Sequence, residues 1–348
     1  MVFFHHVCYT SIDLAHWCSP VRYLGNLSEF GSYGVDFFFV LSGFLISSLL
    51  IEARTDSGYY HNFYWKRALR ILPLYAVCLL VILIFLPSYK SYVLLSALFI
   101  VNFAHLFQVT GIGPFWTLAI EEQFYLLWPT VVRTRSIEAI RRWSLSIAIG
   151  AIALRLVAAC FGHHNYYFTF FHCDGLAFGA YLACTFAQRH TNQPRRTGRS
   201  LTILALSCVA LFFTARPLAS SHSLVINSFA AAMLQTGVVF LSIVIVAFLL
   251  DHSGSKILCF LRTGFFPFFG TISYALYMIH LYVMQAYDHL RGPLTNDDLP
   301  AYLIRFFTIA AVTVTLCLLS RYLIELPAAS LRRYVLKPAK RIVNDRRP

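Results

Sequence analysis

Long apolar blocks alternate with short polar stretches along the 348 residues and predict membrane-spanning helices. Several blocks approach the ~20 apolar residues that an α-helix needs to cross the hydrocarbon core of a bilayer. We expect such helices at 34–52, 70–87, 115–132, 144–161, 168–187, 200–216, 228–250, 267–289 and 301–323. Residues 1–10 look like the second half of a further helix. The pattern predicts an all-α, polytopic bundle of about ten transmembrane helices, the first of them truncated.

The positions of the basic residues predict how these helices are oriented. Short loops rich in Lys and Arg usually face the cytoplasm. Such residues are concentrated at 53–70, 133–142, 188–199, 251–266 and in the C-terminal tail. The stretches 162–167, 217–227 and 290–300 carry few basic residues and are expected to face outward.

The segment 91–114 is expected not to cross the membrane. Three apolar helices between residues 70 and 133 would join two basic stretches that should lie on the same side. The segment ends in Gly111-Ile112-Gly113-Pro114, a sequence that breaks helices. Irregular backbone at membrane depth is tolerated where protein or a water-filled cavity surrounds it. We therefore expect 91–114 to fold back and to form a cavity wall.

Composition supports a membrane protein, and no soluble domain is visible in the sequence. The chain is 58% hydrophobic and only 12% charged, about half the usual charged share of a soluble protein. The net charge of +13 reflects basic loops and a basic cytoplasmic tail at 336–348, so no nucleic-acid partner is expected. The nine Cys residues show neither a CxxC motif nor a metal-ligand spacing, and no metal site is expected. No cleavable signal peptide is evident.

Ionisable residues within apolar helices are costly and often functional. The sequence places several of them there: His5, His6, Asp36, Glu121, Glu122, Arg155, His172, Asp174, His280 and Glu325. Each has a structural alternative. Arg321 and Glu325 suit a helix end at the headgroup level, and Asp36 suits a helix N-terminus.

Two further groups of residues indicate helix packing as readily as function. Ser273, Tyr277 and His280 share one helix face, which also fits plain hydrogen bonding between helices. Gly175 and Gly179 have the G-x-x-x-G spacing that allows close helix packing.

Lys66, Arg67 and Arg70 form a basic cluster beside the start of a predicted span. Such a cluster anchors a helix end at the cytoplasmic surface. Guanidinium groups also suit the recognition of phosphate, so a phosphate-bearing cytoplasmic ligand is the alternative.

Five motifs, in order along the chain, resemble acyltransferase family 3, a family of bacterial membrane proteins. They are GVDFFFVLSGFLI from Gly34, FYWKRALRILP from Phe63, WTLAIEEQFYLLWP from Trp116, SYALYMIH from Ser273 and YLIELP from Tyr322. The resemblance extends over about residues 1–335, and only the five motifs together make it specific.

The resemblance implies an O-acetyltransferase of the bacterial inner membrane, and the basic tail predicts that the C-terminus is cytoplasmic. An acyl group, commonly acetyl, would move from acyl-CoA to a hydroxyl of a carbohydrate or glycoconjugate. The implied partners are the lipid bilayer, acyl-CoA as donor substrate and the carbohydrate acceptor, with no permanently bound cofactor. A transporter or flippase without acyl chemistry remains an alternative, although no internal repeat is visible.

The residues of this chain receive the following expected roles. His6, with His5 as the fallback, is the catalytic base, and Asp36 orients and stabilises its imidazole. Lys66, Arg67 and Arg70 hold the phosphates of the acyl-CoA. The acceptor is expected to contact Glu121, Glu122, Gln123, Asp174 and His280.

Two departures from the family pattern stand out. The chain begins five residues before His6, so the family's upstream Arg is missing, which suggests a misassigned start or an inactive truncated paralogue. The family's Arg before x-Asp is replaced by His172, ahead of Asp174. This change is expected to weaken a charge pair or to make it pH-dependent.

Overall fold

The computed structural model describes residues 1–8, 30–111, 113–163, 167–192, 215, 223–252, 254–292 and 299–337, and these ranges contain helices and no β-strand. The α-helices are α1 (Val2–Cys8), α2 (Gly34–Glu52), α3 (Tyr59–Phe85), α4 (Lys90–Ala97), α5 (Phe115–Thr134), α6 (Ile137–Cys160), α7 (Thr169–Asn192), α8 (Leu224–Asp251), α9 (Phe265–Arg291), α10 (Leu299–Ser320), α11 (Leu326–Ser330) and α12 (Arg332–Val335). Short 3₁₀ turns follow α2, α3, α4 and α8, and a π-helical turn at Arg321–Glu325 joins α10 to α11. The expected all-α class is confirmed.

Six helical segments within the described ranges are long and apolar enough to cross a membrane. They are Gly34–Thr55, Tyr59–Phe85, Ile137–Cys160, Leu224–Asp251, Phe265–Arg291 and Leu299–Val335. Their outer faces carry large exposed apolar side chains, such as Ile84 and Phe85 on α3, as expected for contact with lipid.

The expected count of about ten crossings is not confirmed. Helices α5 and α7 have 20 and 24 residues, but they are not among the six segments with the hydropathy of a span. Both carry polar side chains, including Glu121 on α5 and Asp174 on α7, that are buried within the protein. The helix predicted at 200–216 lies almost entirely outside the described residues.

The segment 91–111 contains no helix of spanning length. Helix α4 ends after eight residues and is followed by a 3₁₀ turn at Val101–Phe107. Gly113 has a φ of 109°, and a Cβ there would lie 2.2 Å from the hydroxyl oxygen of Tyr282. The broken backbone therefore packs against protein, which is where such backbone is tolerated at membrane depth.

The chain forms two units, each with its own buried core. The first unit comprises residues 1–35, 64–115 and 256–336. In it α1 packs against α9 and α10, and Val7, Met284 and Ile309 bury their side chains together.

The second unit comprises residues 36–63, 116–255 and 337–348. Helices α6, α7 and α8 pack against one another. Together with α2 they bury an apolar cluster of Val40, Phe44, Ala148, Ala177, Phe178, Leu182, Ala183, Val239, Val246 and Ala247.

Glycines allow α2 and α7 to approach backbone to backbone. A Cβ at Gly43 would lie 2.0 Å from the carbonyl oxygen of Leu176, and one at Gly179 would lie 2.1 Å from that of Val40. A Cβ at Gly175 would lie 2.9 Å from that of Phe39. The packing role expected for the G-x-x-x-G spacing is therefore confirmed.

The substitution Gly179→Ala should destabilise the second unit by about 1–3 kcal/mol, because a backbone carbonyl cannot rotate away from the added methyl group. Thermal unfolding of the detergent-solubilised protein measures the effect as a lower Tm. Gly150→Ala is the matched control, since Gly150 is also inside a helix and a Cβ there meets no atom within 4 Å. An equal Tm for both variants would contradict the close packing.

Candidate active site

His6 on α1 and His280 on α9 form a hydrogen-bonded pair in the first unit. The Nδ1 atom of His6 lies 2.9 Å from the Nε2 atom of His280. The two rings stack with centroids 5.1 Å apart and planes inclined by 30°. His280 is completely buried. The structure thus brings together a predicted base and a residue expected to contact the acceptor.

The ring of His280 is also held by its own helix. Its Nδ1 atom lies 2.9 Å from the carbonyl oxygens of both Leu276 and Tyr277. The rings of Phe3 and Tyr277 lie 5.9 and 6.0 Å from it, centroid to centroid. His5, the fallback base, places its ring 5.4 Å from that of His6.

Arg305 on α10 anchors the end of α1. It donates two hydrogen bonds of 2.8 Å to the carboxylate of Asp288 on α9. A third, of 2.7 Å, goes to the carbonyl oxygen of Val7. A cation is favourable at the C-terminal end of a helix, where carbonyl groups lack partners within the helix. Because Val7 follows His6, this contact fixes the position of the predicted base.

Sequence reasoning missed Arg305 and Asp288. The signal was present, since an Arg within the apolar stretch of α10 meets the same criterion that selected Arg155. The specific partner was not visible, because Asp288 lies near the polar end of α9 and Val7 contributes only a backbone atom.

A buried polar network occupies the second unit. Arg155 on α6 lies 2.8 Å from a carboxylate oxygen of Asp174 and also donates to Thr236 and to the carbonyl oxygen of Phe171. Nearby, the Nδ1 atom of His172 lies 3.8 Å from a carboxylate oxygen of Asp36. The network joins helices α2, α6, α7 and α8.

Gln235 on α8 extends this network and was not singled out from the sequence. Its amide nitrogen lies 2.8 Å from the Nδ1 atom of His172. A Gln within an apolar helix is a weak signal, because it also serves plain helix packing. Asp36 thus lies beside His172 in the second unit, and its expected support of His6, a residue of the first unit, stays a prediction.

The three polar residues of the α5 motif, Glu121, Glu122 and Gln123, have different surroundings. Glu121 is buried and accepts a 2.9 Å hydrogen bond from the hydroxyl of Tyr125, which also lies 2.5 Å from the hydroxyl of Ser42. The side-chain oxygen of Gln123 accepts from Thr169. Glu122 is half-buried. The motif therefore links α5 to α2 and α7.

The basic cluster lies on α3, in the first unit. Lys66 and Arg70 are exposed, and Arg67 is half-buried. Their spacing places them on adjoining positions of one helical turn. The cluster is accessible to a ligand from outside the protein.

The comparison with known proteins identifies the family. A family model described as an acyltransferase domain matches residues 1–322. The chain belongs to acyltransferase family 3. The motifs that suggested this family all begin within the matched range.

Similar curated proteins come from Staphylococcus aureus. One from strain COL, named "Putative O-acetyltransferase", is 26% identical over 334 residues, which cover 85% of this chain and 52% of the relative. The "O-acetyltransferase OatA" of strain NCTC 8325 is 35% identical over 121 residues, which cover 29% of this chain and 20% of the relative. This chain therefore spans about half the length of the curated relatives that it matches over 334 residues. No solved structure matches it.

In this acyltransferase family 3 chain, His172 stands where the family usually has an Arg ahead of Asp174, and the contacts show what each of the two residues touches. The replacement of the usual Arg was expected to weaken a charge pair. Asp174 nevertheless has a buried guanidinium partner, Arg155, supplied by α6. His172 lies instead beside Asp36. Asp174 therefore has a charged partner without an Arg at position 172, and His172 lies beside the carboxylate of Asp36.

Substituting Arg305→Met should loosen α1 and cost roughly 3 kcal/mol of stability, because the carboxylate of Asp288 loses its charged partner. Brief treatment with N-ethylmaleimide, followed by mass spectrometry of the Cys8 peptide, measures the release of α1, since Cys8 is buried. We expect faster modification of Cys8 than in the unchanged protein. Arg291→Met removes an exposed Arg at the end of α9 and is the control. Unchanged Cys8 reactivity in Arg305→Met would contradict the anchoring role.

Proposed function

We propose that this chain transfers an acyl group, most simply acetyl, from acyl-CoA to a hydroxyl of a carbohydrate or glycoconjugate. The observation that carries the proposal is a histidine pair held in place within a chain of the acyltransferase family. A neutral hydroxyl is a poor nucleophile, and a histidine is an available base near neutral pH.

In the proposed reaction His6 acts as the general base, with His5 as the fallback. Its imidazole takes the proton of the acceptor hydroxyl while the hydroxyl oxygen attacks the thioester carbonyl carbon. The new C–O bond forms, the C–S bond breaks, and the departing sulfur of CoA takes the proton back from the imidazolium. General acid–base catalysis by a positioned side chain typically raises the reaction rate roughly 10²–10⁴-fold.

The donor is proposed to bind at Lys66, Arg67 and Arg70. Acyl-CoA carries phosphate groups, and cations on one helical turn suit them. Lys66 and Arg70 are exposed and Arg67 is half-buried. No permanently bound cofactor is needed for this reaction, because the acyl group is supplied by the substrate.

The acceptor is proposed to contact Glu122 and Gln123, whose side chains are half-buried. Glu121 and Asp174, also predicted to contact it, are engaged by Tyr125 and Arg155 and would shape the surroundings of the acceptor. His280, the remaining predicted contact, is engaged by His6. A carbohydrate offers several hydroxyls, which carboxylate and amide groups bind well.

For topology we propose about ten crossings, with the basic loops and the C-terminus in the cytoplasm of a bacterium and the bundle in its inner membrane. This arrangement places the basic start of α3 on the side where acyl-CoA is made. The proposed topology thus supports a donor site that faces the cytoplasm.

The variant His6→Ala should lower acetyl transfer from radiolabelled acetyl-CoA by at least ~10²-fold in membranes, since it removes the proposed base. His5→Ala should retain most of the activity. His252→Ala, which removes an exposed histidine at the end of α8, is the control. Full activity in both His6→Ala and His5→Ala would refute the assignment of the base. An absence of any acetyl transfer by the unchanged protein would favour a transporter.

Replacing Lys66 and Arg70 by Gln should raise the KM for acetyl-CoA roughly 10²-fold or more, because each of the two charge-assisted contacts to phosphate contributes about 1.5–3 kcal/mol. The kcat should change little. Arg142→Gln removes an exposed cation from another basic stretch and is the matched control. Steady-state kinetics at two salt concentrations test this, and an unchanged KM would place the donor elsewhere.

A further inference from the structure

The contacts of His280 determine which of its ring nitrogens carries the proton. Its Nδ1 atom lies 2.9 Å from the carbonyl oxygens of Leu276 and Tyr277. A carbonyl oxygen only accepts hydrogen bonds, so Nδ1 must be the donor. In the neutral imidazole the other nitrogen, Nε2, then carries the lone pair and accepts.

The position of the proton on His280 also determines which ring nitrogen of His6 carries a proton. The Nδ1 atom of His6 lies 2.9 Å from Nε2 of His280. If Nε2 of a neutral His280 accepts, Nδ1 of His6 must donate, and the lone pair of a neutral His6 resides on its Nε2 atom. The direction of each hydrogen bond follows from the backbone carbonyls of α9.

We propose that His280 is a positioning residue that holds His6 in the Nδ1–H tautomer, so that the Nε2 atom of His6 is the basic nitrogen of the reaction. This inference rests on the proposed function only for its catalytic consequence. It replaces the direct contact with the acceptor that the sequence suggested for His280. The tautomer itself is a property of the protein without substrate.

The same pair accommodates the charge that forms during the reaction. When Nε2 of His6 takes the acceptor's proton, its Nδ1–H donates a stronger, charge-assisted hydrogen bond to Nε2 of His280. The proton later passes from Nε2 of His6 to the departing sulfur, and His280 neither gains nor loses one. A histidine fixed by backbone carbonyls thus holds the tautomer of the base and stabilises its charged form, as the carboxylate does in a Ser-His-Asp triad.

The orientation of His280 is well determined by its surroundings. The side chain is completely buried, and the rings of Phe3, His6 and Tyr277 lie around it. Turning the ring over would break the contacts of Nδ1 with two carbonyl groups. The packing therefore keeps Nε2 directed at His6.

Nitrogen-15 NMR of the protein labelled at histidine tests the tautomer without substrate. Spectra of the unchanged protein and of His6→Gln assign the His6 signals by difference. We expect Nδ1 of His6 to carry the proton and Nε2 to have the chemical shift of an unprotonated nitrogen. A proton on Nε2 of His6, as a doubly protonated His280 would impose, overturns the inference.

Two variants then test the role in turnover. In His280→Gln the amide oxygen can still accept from His6, whereas His280→Met fills similar space without an equivalent acceptor. We expect kcat to fall roughly 10²-fold in His280→Met and less than tenfold in His280→Gln, with an unchanged KM for acetyl-CoA. NMR should find a changed tautomer of His6 in His280→Met alone. Equal losses of kcat in the two variants, or an unchanged His6 tautomer in His280→Met, would overturn the positioning role.

The outcomes separate this inference from the proposed function. If His6→Ala remains fully active while NMR finds Nδ1–H on His6, the assignment of the base fails and the tautomer assignment stands. If His6→Ala is inactive while NMR finds Nε2–H on His6, the base assignment stands and the role of His280 fails.

Discussion

A charged group taken into the apolar interior of a helical bundle needs a charged or hydrogen-bonding partner, and this requirement organises both units. In the first unit Arg305 is satisfied by Asp288 and by the carbonyl oxygen of Val7. In the second, Arg155 is satisfied by Asp174, Thr236 and the carbonyl oxygen of Phe171. Each guanidinium joins separate stretches of chain, because its several donors point in fixed directions.

The arginine of the first unit links stability to the candidate chemistry. Helix α1 is short, and Val7 and Cys8 are its buried residues. Arg305 fixes the end of α1 through the carbonyl oxygen of Val7. The residue before Val7, His6, contacts His280 on α9. Helices α9 and α10 pack against each other, and the ion pair of Arg305 with Asp288 joins them. His280 lies on α9 as well. The histidine pair is therefore positioned by residues outside the chemistry.

In the second unit close backbone packing and buried polar contacts support each other. Gly43, Gly175 and Gly179 bring α2 and α7 together. This approach places Asp36 of α2 beside His172 of α7, at 3.8 Å. Water is scarce in such an interior, so these polar groups depend on one another for hydrogen bonds. A change in the glycine contact would therefore also disturb the polar network.

The sequence alone determined the helical class, the membrane character, the break at 91–114 and the family, because hydropathy, glycine placement and ordered motifs are local properties. It also selected His6, Asp36, Glu121, Asp174 and His280 as polar residues in apolar surroundings. Only the tertiary structure decided their partners: His280 for His6, Arg155 for Asp174 and Tyr125 for Glu121. It also identified Arg305 and Asp288. Such pairs join residues far apart in sequence, and hydrogen bonding depends on the direction of each atom, which no local pattern encodes.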